Sequence, residues 1–176
     1  MIYSSNDVRP VRSQIKLRQQ LLLLITLLCI QPAWGQEEPG AGWEVQDWNI
    51  NFSVYTRHFD PDPEHNNDQN LVGLEVAFEN AWLAGFAVFD NSFGQDSQFL
   101  FVGKTWPIVG SPYWYFKVRA GLLHGYEEPY EDKIPLNGLG IAPAIVPAVG
   151  VRYRSVFFEA NFAGTAAVTL HVGVHF

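Results

Sequence analysis

The chain has 176 residues, with 18 acidic against 11 basic side chains and a net charge of −7. That balance excludes nucleic-acid binding, which needs a basic footprint. Aromatic residues reach 15% while mean hydropathy stays near zero, as expected when apolar and polar residues alternate along strands.

The chain opens with Arg9, Arg12, Lys16 and Arg18, an apolar run from Leu21 to Ile30, and Gln31-Pro32-Ala33-Trp34-Gly35 with small residues at alternate positions. This is the pattern of a secretory signal peptide. The run is about half of the roughly 20 apolar residues that a membrane-spanning helix needs, so a retained anchor is not expected. No small residue precedes Cys29, as lipoprotein processing would want. Cleavage after Gly35 removes that only cysteine, and with it any disulfide. The expected organisation is a signal peptide over 1–35, a short periplasmic segment over 36–48 and one β-barrel over 49–176.

Period-2 alternation then dominates. It is noisy through Ile50, Phe52 and Val54, through Val72, Leu74, Val76 and Phe78, and through 82–90 and 98–105. It is clear in 113–124, where Trp114, Phe116, Val118, Ala120 and Leu122 oppose Tyr113, Tyr115, Lys117, Arg119 and Gly121. Further strands are expected over 138–153 and 156–163. The last strand sets Ala166, Val168, Leu170, Val172, Val174 and Phe176 on one face and Ala167, Thr169, His171, Gly173 and His175 on the other. One face suits lipid and the other a polar interior.

Eight such strands of about ten residues match a tilted membrane strand, and in hydrocarbon the sheet has to close so that every backbone polar group finds a partner. The predicted fold class is all-β: an eight-stranded antiparallel transmembrane barrel, integral to the outer membrane. Its interior has room for little beyond side chains or one slender ligand, which excludes an open pore. Short connections at 79–80, 106–112 and 154–155 would face the periplasm and the longer stretches 59–69, 91–97 and 126–137 the exterior. The terminal Phe176 looks like the signal that outer-membrane assembly machinery reads.

Candidates for chemistry collect at the extracellular rim. The first strand runs out through Tyr55-Thr56-Arg57-His58-Phe59 into an acidic loop, and the third through Phe89-Asp90-Asn91-Ser92-Phe93. A histidine, a hydroxyl and carboxylates at one end are the parts that activate a hydroxyl for acyl transfer. Ser92 is also an ordinary turn serine. Parity with Ile50, Phe52 and Val54 points His58 outward on an unbulged strand, and parity with Phe86 and Val88 does the same for Ser92; a bulge would reverse either. His171 and His175 are expected to bond Glu75 or Glu159 inside the barrel, and no metal site is expected. The acidic loop residues read as a solvated rim.

The later half of the chain resembles the lipid A palmitoyltransferases of the outer membrane, the PagP family. The resemblance lies in Ile141-Ala142-Pro143-Ala144-Ile145-Val146-Pro147-Ala148-Val149-Gly150-Val151-Arg152-Tyr153, a strand with two prolines separated by three apolar residues, and in Val156–Gly164 with the closing strand. It implies that Pro143 and Pro147 weaken strand pairing and admit lipid laterally. It implies His58 as the catalytic histidine and Ser92 as the catalytic serine. The family's aspartate position holds Asn91, with Asp90 one residue early, and its amphipathic helix would be abbreviated to Gly42–Trp48. The implied activity transfers a fatty acyl chain from a phospholipid to lipid A without a cofactor, with the chain received in the barrel interior. The alternatives are a lipid A deacylase, whose His-x-Ser strand pattern is absent, and a non-catalytic small barrel for adhesion, membrane integrity or lipopolysaccharide contact.

Overall fold

The computed structural model describes residues 42–176, so the expected signal peptide lies outside the described residues. Eight antiparallel strands form one closed barrel: β1 Val45–His58, β2 Val72–Phe78, β3 Trp82–Asp90, β4 Asp96–Pro107, β5 Trp114–His124, β6 Ile141–Tyr153, β7 Val156–Ala163 and β8 Ala167–His175. Each strand pairs with its sequence neighbours, and β1 closes the ring on β8. Among the described residues the one helical element is a 3₁₀ turn at Glu131–Lys133. The barrel begins at Val45, four residues earlier than expected, and Gly42–Trp48 runs into β1 rather than into a helix.

The short connections 79–81, 108–113 and 154–155 lie at one end, together with Phe176; the long ones, 59–71, 91–95 and 125–140, lie at the other with 164–166. The alternation decides the faces. In β8, Ala167, Thr169, His171 and Gly173 are buried while Leu170 and Val174 are exposed, and in β5, Tyr115, Lys117 and Arg119 are buried under an outward Trp114 and Leu122. The outer wall also exposes Phe52, Leu74, Phe86, Leu100 and Phe158. A polar inside and an apolar, aromatic outside are what a bilayer-spanning barrel presents.

At mid-height the lumen is solid. Lys117 Nζ lies 2.8 Å from Glu75 and 2.7 Å from Glu159, and Arg119 lies 2.9 Å from Glu75 and 2.7 Å from Glu159. Arg119 also donates to Asn161 at 2.8 Å, and Tyr115 to Glu159 at 2.9 Å. Two cations and two anions share one another's charge, which makes burial of all four tolerable. Glycines admit the rings around them: a Cβ on Gly85 would sit 2.6 Å from the Phe101 ring, and one on Gly150 would collide with Tyr115. Toward the long-loop end Leu83, Ala87, Phe99 and Phe101 form an apolar cluster with Leu71, Phe89 and Val146 around it.

The expected bonds from His171 and His175 to these glutamates do not form. His171 is buried with Nε2 unpartnered, and His175 contacts Asp47 and the Arg154 carbonyl. The guanidinium and ammonium, with more donors and a permanent charge, occupy the carboxylates instead.

Candidate active site at the long-loop mouth

The register of β1 against β8 shifts between Ser53 and Tyr55, so one residue is added to β1 at Val54. Such a bulge exchanges the two faces beyond it. Thr56 and His58 are therefore buried inside, while Tyr55 and Arg57 are exposed. The outward direction expected for His58 is overturned by that one residue.

Ser92 lies past the end of β3, in a turn that Asn91 holds together. Asn91 is fully buried; its Oδ1 accepts from the amides of Phe93 at 2.9 Å and Gln95 at 3.1 Å, and its Nδ2 donates to Gly125 O at 2.9 Å. The turn breaks the strand's parity, so Ser92 reaches into the mouth. Its carbonyl accepts from the Asn66 amide at 2.7 Å, joining the first and second long loops.

His58 Nε2 stands 2.9 Å from Ser92 Oγ, and His58 Nδ1 stands 3.0 Å from Asn67 Oδ1. With Nδ1–H donating to the Asn67 oxygen, Nε2 is left as the acceptor of the Ser92 proton. A serine, a histidine and an orienting amide in this order have the geometry in which a hydroxyl can act as nucleophile, an imidazole as its base and the amide as the group that fixes the tautomer. Asn67, on an exposed loop, carries no signal in the sequence that singles it out from Asn66 beside it.

Asp90 does not join this group. Its carboxylate accepts from Asn70 Nδ2 at 2.7 Å, at the point where β3 pairs with β4. Asn91 supports Ser92 from below and bonds neither His58 nor Asn67. The histidine's second nitrogen is thus served by Asn67, not by either residue at the expected aspartate position.

An aromatic wall flanks the pair. The His65 ring lies 4.2 Å from that of His58 and 5.6 Å from Phe93, and Phe93 stacks on Tyr130 at 4.0 Å with Lys133 over it. Tyr126, from the third long loop, is half-buried beside Ser92; its partial burial pushes the phenol above the ordinary range, and hydrogen bonding with Ser92 opposes the shift. Three loops thus enclose one serine. Among the described residues no group of three His, Cys, Asp or Glu side chains is arranged to hold a metal ion.

Pro143 and Pro147 sit on a seam. Arg152 donates its amide to Tyr113, the residue before β5, at 2.9 Å, and the β5–β6 register is regular, so amides of the odd-numbered residues of β6 face β7. The missing N–H groups of both prolines therefore fall on the β7 side. The β6–β7 ladder ends at Ala148 opposite Asn161, and Ile141–Pro147 pair with β5 alone.

No family model matches the chain, and no curated protein matches it. Among solved structures it is similar to a de novo designed transmembrane β-barrel, at 12% identity and a TM-score of 0.47, over 77% of this chain and 99% of that one. It is also similar to the outer-membrane protein Ail of Yersinia pestis in a phospholipid nanodisc, at 12% identity and a TM-score of 0.39, over 76% and 100%. The chain's own architecture defines its class, a small antiparallel barrel of the transmembrane type.

Proposed function

We propose that this barrel is an integral outer-membrane enzyme that moves a fatty acyl chain from a phospholipid to lipid A, with the long-loop mouth outside the cell. The observation that carries the reading is the 2.9 Å contact between His58 Nε2 and Ser92 Oγ, with Asn67 on the other ring nitrogen. Ser92 Oγ attacks the ester carbonyl of the donor and its proton passes to His58 Nε2. The lysophospholipid oxygen leaves and takes that proton, which makes an acyl-Ser92 ester. A lipid A hydroxyl then gives its proton to His58 and attacks the ester, and Ser92 leaves with the proton restored. Ser92 is thereby the nucleophile and His58 its general base. The stretch of β6 at Pro143 and Pro147 that pairs with β5 but not with β7 supports lateral entry of lipid close to this mouth.

The solid lumen favours a second reading, a non-catalytic small outer-membrane barrel, because Lys117, Arg119, Glu75 and Glu159 leave an acyl chain no path through mid-height. Neither structural neighbour brings chemistry to the choice. The test is incubation of the folded protein with a labelled phospholipid and lipid A. Modified lipid A with lysophospholipid supports transfer, and free fatty acid with lipid A short of an acyl chain indicates a lipid A deacylase. Unchanged lipids select the non-catalytic barrel. Mass spectrometry of the Ser92 peptide checks for the acyl ester.

A further inference from the structure

Two apolar depressions adjoin on the outer wall, the smaller beside the short connection at 79–81 and the larger at mid-height. One, of about 310 Å³, is lined by Trp43, Phe78 and Trp82. The other, of about 570 Å³, runs past Leu74, Leu100 and Ala120. Both include Ala84 and Val102, so they form one trough. Its origin is in the register: Val76, Ala84, Val102 and Ala120 lie opposite one another across β2 to β5, a row of small side chains beside the larger Leu74, Phe86, Leu100 and Leu122. Three strand spacings of about 4.8 Å make the row roughly 15 Å long, and because it crosses the tilted strands it runs obliquely to the membrane normal.

Lys104 stands at the short-turn side of this trough. It pairs with Trp82 across β3 and β4 and shares the outward face of Leu100 and Val102, with Nζ 5.5 Å from the centre of the Trp82 ring. Among the described residues no carboxylate pairs with it, whereas Lys117 and Arg119 are each paired twice in the lumen. A cation on a lipid-facing wall is costly unless it reaches the interface or meets an anion there. Trp43 and Trp82, stacked at 6.5 Å, mark that interface.

We propose that this trough binds one anionic glycerophospholipid of the periplasmic leaflet, its phosphate on Lys104 and an acyl chain along Ala84, Val102 and Ala120. The site rests on the membrane-spanning reading and is independent of the acyl-transfer chemistry at the mouth. Charge complementarity chooses the headgroup, and the row of smaller side chains between larger ones favours a single flexible chain.

Native mass spectrometry of the folded protein in detergent with equimolar dioleoylphosphatidylglycerol and dioleoylphosphatidylcholine tests it. The expected result is one retained phosphatidylglycerol, preferred about tenfold, an energy of about 1.4 kcal/mol. Lys104→Gln and Ala84→Phe should each erase the preference, Lys104→Arg should keep it, and Arg154→Gln, at the turn after β6 and away from both trough and mouth, should leave it unchanged. Heat-modifiable gel migration confirms that each variant is folded. No preference in the unmutated protein, or an equal preference in Lys104→Gln, would overturn the site alone. Failure to insert into vesicles of either lipid would overturn the membrane reading, and the site with it.

Discussion

The Ser92 hydroxyl and the His58 imidazole lie within hydrogen-bonding distance of each other, and each is fixed by a different neighbour. Replacing either with alanine should lower acyl transfer by about 10²–10⁴-fold, the range of a lost base or nucleophile, while the barrel still folds because neither residue lies in a strand interior. Asn67→Ala frees the imidazole to rotate and should lower the rate by roughly tenfold or more. Asp90→Asn should leave it unchanged, since Asp90 serves Asn70 and not the histidine. A lipid A product assay on the four variants checks this order; a strong effect of Asp90→Asn with a silent Asn67→Ala would return the orienting role to the carboxylate. His65→Ala is not a neutral comparison, because its ring packs on His58. Asn67 was beyond reach from the sequence because loop residues have no periodicity, so only a folded loop can say which of two adjacent asparagines arrives.

At the scale of the strand, the bulge at Val54 and Tyr55 decides where the site points. Deleting Val54 alone makes the pairing with β8 regular and leaves Thr56 and His58 on the inner face, so acyl transfer should survive. Deleting Val54 and Tyr55 together turns Thr56 and His58 outward and should abolish activity; chemical modification of His58 from the lipid side would report the rotation. The bulge was invisible because Val54 is apolar and fits the outward face whether or not the register shifts. The faces of β5 and β8, in contrast, were legible, since six or more alternating positions leave one register that buries Lys117, Arg119, Thr169 and His171. Val172→Arg on the outer face should cost roughly 2–4 kcal/mol near the midplane, while Thr169→Ser, which keeps the hydroxyl beside Gln69, should be nearly silent; a urea titration of folding into vesicles measures both. What the patterns did not reveal was pairing inside the lumen. Alternation says that Glu75, Glu159 and His171 point inward, but the choice of partner follows from strand stagger around the closed ring, which local sequence does not encode.

For the barrel as a whole, the four buried charges act as one unit. Arg119→Ala leaves Glu75 and Glu159 with a single cation between them and should destabilise folding by about 3–5 kcal/mol, read as a lower urea midpoint in vesicles. Replacing all four by apolar residues of similar volume should cost far less than the single change. The network has an electrical consequence as well. Its two positive and two negative groups cancel, and its side chains fill the cross-section with Tyr115, Phe157 and Phe101 against them, so neither a water column nor a fixed field of one sign runs from one leaflet to the other. In a planar lipid bilayer the protein should give no conductance steps under applied voltage, and it should stay an insulator however many copies a membrane carries.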